Sequence, residues 1–421
     1  MRNWKRLLCA ALAAVMMMGL TACSSNNETS AAAETTGSET TKAAETAAPE
    51  TTAAVTEAVT EAPATEAASE SAEPESKTHI VVDHAGNEVE VPNEINRVVV
   101  ADIYPMASVL TVFFGSADKL VGIAPPCMSA AKNGLLGELY PEILNAETGF
   151  IDGTNINIEE LMKLEPDVVF YSAGSKEEGE LLRGAGIPAI AISPGKWGYD
   201  AIETLKQWIA TLEQVFGESD KAAAVQKWSE EKYNLVQERV AGLKDEERRN
   251  VFFLFQYSDT SILTSGAKFF GQWWCDAIGA KNVGAEMEQD NSVAVTMEQI
   301  YAWNPDLIFI TNFNTATPDD LYNNTVGNYD WSGISAIDNK QAVKMPLGLY
   351  RTYTCGADTP MTLLWLAKAA YPDLFEDIDI TAETISYYKE VFGIELTDEQ
   401  ANRIFDPLTE AGSGFVIKTD K

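Results

Sequence analysis

Histidine is nearly missing from this chain. Only His79 and His84 occur in 421 residues, and both sit where a polar front section gives way to the first apolar strand. No imidazole is left for the loops further on. That excludes a Ser-His-Asp hydrolase set and disfavours bare zinc, manganese or His-ligated haem, which normally use imidazole ligands. Basic residues are scarce too: 30 Lys and Arg stand against 63 Asp and Glu, for a formal net charge of −33 with no basic run. Nucleic acid is therefore excluded as a partner, whereas a strongly acidic surface can recognise a basic one. Of five cysteines, Cys9 and Cys23 lie at the front, which leaves Cys127, Cys275 and Cys355. Three at wide spacing make no disulfide framework; one bridge or three reduced thiols both fit.

The front end reads as an export signal. Arg2, Lys5 and Arg6 precede an apolar run over residues 7–20 that is too short for a comfortable membrane span. Leu20-Thr21-Ala22-Cys23 resembles the lipobox of bacterial lipoproteins. The resemblance implies a signal peptide over residues 1–22, lipidation of Cys23, and a protein anchored to the outer face of the cell membrane. Residues 23–77 are Ala, Thr, Glu, Ser and Pro with almost nothing to bury, so they are expected to be a disordered acidic tether.

The chain beyond residue 77 can bury a large core, since 46% of all residues are apolar and few of them lie in the tether. HIVVDHAGNEVEV reads as a hairpin, and RVVVA as a buried strand. Helical and strand patterns then alternate, which implies mostly parallel sheets covered on both faces. A first lobe over residues 78–218 is followed by a second over residues 244–421, with two helical segments in its tail. Residues 219–243 join them as one helix: there is no Pro, and no Gly before Gly242. Ser219 caps it, and Val225, Trp228, Leu235, Val236, Val240 and Leu243 recur on one face. At 1.5 Å per residue it spans ~37 Å.

The two lobes share a motif. NIEELMKLEPDVVF from Asn157 aligns with TMEQIYAWNPDLIF from Thr296 at a constant offset of 139 residues. Each begins with a capping residue and carries Glu160 or Gln299 three positions on, the pattern of a capping box. Each must end its helix before Pro-Asp and then enter a buried strand. Glu159 and Glu298 occupy the same place in both. As N-terminal carboxylates they favour the helix dipole by ~0.3–1 kcal/mol, and as exposed acids on rigid helix ends they suit docking to a basic partner.

The lipobox, the tether, the two α/β lobes, the single linking helix and the Glu-(x)6-Pro-Asp pair together resemble the periplasmic binding proteins that serve iron-siderophore, haem and cobalamin ABC importers. The likeness runs from about His79 to Phe405 and includes VVDHAGNEVEVPNEINRVVV, GSADKLVGI, LLRGAGIPAIAI and YYKEVFGIELTDEQ. It implies two doubly wound, Rossmann-like lobes joined by the helix, with ligand in the cleft between them. It also implies that Glu159 and Glu298 pair with arginines of the permease.

In open α/β sheets ligands bind beyond the carboxyl ends of the strands. That rule selects Tyr104, Trp197, Tyr257, Lys268, Phe269, Tyr350, Arg351 and Tyr353 as ligand-binding candidates, within loops that also include residues 125–128, 172–175, 268–274 and 312–314. Aromatics mixed with a few cations suit a bulky, flat or anionic chelate, with Arg351 pairing with its oxygens. The expectation is a monomeric, membrane-anchored receptor, without catalytic residues or a resident cofactor or metal, that delivers a ferric siderophore to an ABC permease. A corrinoid or haem is the alternative ligand. A surface enzyme or sensor ectodomain on the same scaffold is the alternative of another class.

Overall fold

The computed structural model describes residues 76–414; the leader, Cys23 and the expected tether up to residue 75 lie outside the described residues, as do residues 415–421. Four short apolar runs build the first sheet. Val98–Val100, Leu120–Ile123, Val168–Ser172 and Ala189–Ile192 lie parallel in the spatial order second, first, third, fourth. The second sheet repeats that order with Asn250–Leu254, Lys281–Asn282, Leu307–Ile310 and Ala342–Lys344. Continuous apolar strands are what a sheet covered on both faces needs. Val98, Val100, Val168 and Phe170 face a core that also takes Val251, Phe253, Leu307 and Phe309 of the second lobe. The alternate residues Val99, Val169 and Tyr171 fill a core belonging to the first lobe. Phe252, Leu254, Ile308 and Ile310 close around Trp331 in a core belonging to the second.

The helix between the lobes is Asp220–Val240, and Ser219 caps it by accepting a hydrogen bond from the Ala222 amide. Ala222, Val225, Val236 and Val240 are buried, while Trp228 and Leu235 pack half-buried on the same core. The helix lies along the second lobe. Lys232 pairs with Glu383 at 2.6 Å, Arg239 with Asp377, and Gln237 donates to the Ala277 carbonyl.

The matched motif has a structural purpose. Asn157 and Thr296 both cap their helices, Ile158–Met162 and Met297–Trp303. Only Thr296 completes a reciprocal box with Gln299; Glu160 turns instead to Lys163. Glu165 and Asn304, the residues before each proline, both adopt a left-handed backbone with φ of 43° and 42°. The aspartate after each proline then ties the third strand to the first. Asp167 accepts from the amides of Asn96 and Arg97 at 2.7 and 2.8 Å, and Asp306 accepts from the Asn250 amide at 3.0 Å.

Three features depart from the sequence reading. Residues 125–128 begin a helix, Pro125–Asn133, because its two prolines occupy the first turn, where no amide hydrogen is needed. Gln256–Tyr257, Ile262–Ser265 and Ser292–Val295 form an additional antiparallel sheet. The tail is not confined to the second lobe. Gln400 and Arg403, on helix Asp398–Phe405, both bind Glu138 of the first lobe, and Ser413 lies 3.2 Å from the Ser129 hydroxyl. Among the described residues no helix is long and apolar enough to cross a membrane.

Removing the Asp306 carboxylate strands the Asn250 amide beside the first strand of the second sheet. Asp306→Ala is expected to lower the unfolding free energy by about 1–3 kcal/mol in urea titrations, and Asp167→Ala to act in the same direction.

Candidate ligand cleft

The shared strand order fixes where a cleft can open. In each sheet the direction of winding reverses between the first and third strands, and the loops leaving their carboxyl ends diverge there. In the first lobe these loops carry Asp102 and Tyr104 after the first strand and Ser172 at the end of the third, with Pro194 and Tyr199 after the fourth. In the second lobe they carry Phe255 and Phe313, with Tyr350 and Thr354 after the fourth strand. Together with Trp208, Phe269 and Phe270, these residues line one cavity of about 190 Å³ between the lobes.

Its wall is aromatic. Phe255 meets Phe269 edge-on at 5.6 Å and Phe313 at 5.1 Å, and Phe313 meets Tyr350 at 6.4 Å. Among the described residues no Lys, Arg or His lines it, and Asp102 is its one carboxylate. Asp102 accepts from the Ser172 amide at 2.6 Å and from the Ser175 hydroxyl, which fixes the first-lobe loops to each other. Among the described residues no group of three or more His, Cys, Asp or Glu is placed to hold a metal ion.

Tyr199 closes the cavity from the first lobe onto the second. Its hydroxyl donates to the Asp290 carbonyl at 2.7 Å, and its ring meets Phe269 and Phe270 at 5.1 and 4.9 Å. Burial, with a smaller contribution from the Asp290 charge, pushes its phenol up to about 12. Tyr199 itself has φ of 59°, and Gly195 leaves room for its ring: a Cβ there would lie 2.8 Å from it.

On the second lobe a half-buried lysine, its amine lowered to about 7 by burial, shapes the wall. Lys344 Nζ donates to the carbonyls of Thr311, Asn314 and Ala316 at 3.0, 2.8 and 2.8 Å, curling the loop that presents Phe313. The Thr311 hydroxyl donates to the Phe255 carbonyl at 2.6 Å, so the two loops move as one. Asp358 does the same for the loop carrying Tyr350: it accepts from the Leu349 amide at 2.7 Å and the Tyr388 hydroxyl at 2.6 Å. Tyr350 is 5% exposed, and its hydroxyl is buried with no hydrogen bond of good geometry among the described residues, although the Arg351 guanidinium lies within reach of it. Burial pushes this phenol far above its usual range, and the neighbouring Arg351 charge opposes the shift.

Of the eight residues expected at the ligand, the structure brings Tyr104, Phe269 and Tyr350 into the cavity. The other five are used elsewhere. Arg351 is buried behind Tyr350, where it donates to the carbonyls of Ala411 and Ser413, so the tail takes the hydrogen bonds expected for a ligand. Tyr353 is fully buried, accepting from the Gly271 amide at 3.0 Å. Tyr257 belongs to the second lobe's outer core, bonded to Trp331 and the Val326 carbonyl. Trp197 packs on His84 at 4.8 Å, and Lys268 is exposed and paired with Glu288. The sequence reading missed Asp102, Tyr199, Trp208 and Phe255. The reversal rule finds Asp102 and Phe255 once the first strands are placed; Trp208 carries no signal, because its helical spacing reads as core. Glu159 and Glu298 are both exposed at their helix starts, Glu298 with its carboxyl held below its usual range by hydrogen bonds at the cap.

Residues 114–347 match the family described as periplasmic binding protein. The molybdate-binding protein MolA of Haemophilus influenzae is 24% identical over 345 residues, covering 77% of this chain and 93% of that protein. A periplasmic solute binding protein from Veillonella parvula superposes with a TM-score of 0.68 at 26% identity, over 78% of this chain and 97% of that one. CeuE of Helicobacter pylori with Ni(II) bound gives a TM-score of 0.62 at 24% identity, over 78% and 99%, a likeness of fold.

Burial raises the Asp358 carboxyl to about 6, against hydrogen bonds that pull it down. Folded protein therefore still holds this proton between about pH 4 and 6, where unfolded protein has released it. This contribution to stability is full below about pH 4, falls across that window and is gone above about 6. The Asp358→Asn variant is expected to gain on the parent across that window by on the order of 1–3 kcal/mol in urea titrations.

Proposed function

The chain belongs to the periplasmic binding protein family, the extracytoplasmic substrate-binding proteins of ABC importers, and we propose that its ligand is a ferric siderophore of low net charge bearing aromatic groups. The observation that carries this reading is the buried Tyr350 hydroxyl, with no hydrogen bond of good geometry among the described residues, in a cavity walled by eight aromatic rings. A phenol held protonated by burial is suited to hydrogen bonding with the oxygens around ferric iron. The rings supply apolar contact and stacking for the organic shell. An oxyanion such as molybdate would find no cationic side chain in this wall, and a bare divalent metal would find no cluster of ligands. The cavity is smaller than the ~300–1,000 Å³ typical of ligand pockets. Tyr199, which bridges the lobes, is the side chain that has to swing aside for a siderophore to enter.

Delivery is the second part of the reading. Each of the helices Ile158–Met162 and Met297–Trp303 precedes the third strand of its sheet and carries its glutamate in the first turn. Glu159 and Glu298 are two exposed carboxylates, one per lobe, at matching helix starts, suited to basic residues on paired permease subunits. The lipobox at Cys23 supports attachment to the membrane beneath that permease.

A tryptophan-fluorescence titration with ferric siderophores, iron-free siderophores, haem, cobalamin and molybdate tests the ligand. Saturable one-to-one quenching by an aryl-bearing ferric siderophore is expected, weakened about ten-fold in Tyr350→Phe by loss of one hydrogen bond. Binding of haem or cobalamin alone would move the assignment to a flat macrocycle, and binding of molybdate alone would end the chelate reading. Combined Glu159→Lys and Glu298→Lys is expected to abolish uptake while leaving ligand affinity unchanged; uptake that survives removes the docking assignment.

A further inference from the structure

Eight large apolar side chains stand exposed among the described residues, and two of them occupy the same position of the internal repeat. Met162 is 52% exposed and Tyr301 41%, and they are related by the same 139-residue offset as Glu159 and Glu298. Single exposed apolar residues are ordinary on any surface, but a repeat-related pair beside a repeat-related pair of carboxylates is not accounted for by that. The preceding residues, Leu161 and Ile300, are both fully buried and anchor each short helix to its lobe. The next residue in each case is turned outward, three positions after the glutamate and therefore on its side of the helix. Tyr301 is held in place, since its hydroxyl donates to the Asp330 carbonyl.

We infer that Met162 and Tyr301 are apolar anchors of the permease-docking surface, one per lobe, each seated against an apolar patch beside the basic residue that meets its glutamate. The inference rests on the docking reading of Glu159 and Glu298 and adds to it what charge alone does not provide. Exposed ion pairs contribute little and weaken with salt, whereas Met and Tyr are side chains that interfaces favour. The two-fold repetition matches a partner built from two like transmembrane subunits, and the exposed carboxylates Glu159 and Glu160 at one site and Glu298 and Asp330 at the other match a partner that is basic there. The lobes differ in detail: a flexible Met reaches one subunit and a pinned Tyr the other, which would set the orientation of the receptor on its permease.

Photo-crosslinking tests this in the full chain, in cells of its own host. Met162→p-benzoylphenylalanine and Tyr301→p-benzoylphenylalanine are each expected to give covalent products with transmembrane subunits of an ABC permease, identified by mass spectrometry. The same residue in place of Leu181 or Leu374, which are also exposed, is expected to give none, and added Glu159→Lys plus Glu298→Lys should abolish the products. Yields at 162 and 301 no higher than at 181 and 374 overturn the anchors, while loss of those products on charge reversal would still uphold the glutamates. Products that are confined to 162 and 301 but persist through charge reversal uphold the anchors and overturn the glutamates. No permease product from any position overturns both.

Discussion

The two sheets present their inner faces to one continuous core, and that shared core governs how the other parts are arranged. Val100 and Phe170 of one lobe, Phe253 and Phe309 of the other, and Val225 and Val236 of the helix between them belong to a single apolar cluster. Separating the lobes would expose this surface at about 25 cal/mol per Å², so a wide swing on the linking helix is strongly opposed. The tail adds a second tie through Glu138, Ser129 and Arg351. The space left between the lobes is therefore set by the core, and the movable parts are the loops at the strand ends.

Those loops are stiffened by buried or half-buried polar groups, each with a countable set of partners. Lys344 gathers three carbonyls, Asp358 an amide and a phenol, and Asp102 an amide and a hydroxyl. Each is costly to bury and offsets that cost only in one arrangement of its loop. The result is an aromatic wall held in place by polar groups behind it. Tyr199 differs: it reaches across from the first lobe, and its bond to the Asp290 carbonyl is the kind a ligand can displace.

Much of the fold is legible in the chain because it is written in local chemistry. Alternating apolar strands and helices, Ser219 as a cap and the repeated Pro-Asp all act within a few residues, where spacing and steric rules decide. The repeat also carried its reason in part: a left-handed residue before proline and an aspartate gripping the neighbouring strand are needed twice because the same turn is built twice. The site was less legible. Arg351 has the charge and the place in sequence of a ligand contact, yet whether a guanidinium faces the cleft or the tail depends on carbonyls 60 residues away.

The α/β class, the two like lobes, the linking helix and the repeat-related glutamates could all be read from the order of residues, because periodicity and capping are properties of neighbours along the chain. Which aromatics form the cleft could not. Phe255 and Tyr257 lie two residues apart, but the backbone leaving the strand turns one ring into the cavity and the other into the outer core beside Trp331. Packing between segments distant in sequence makes that choice, and no local rule carries it.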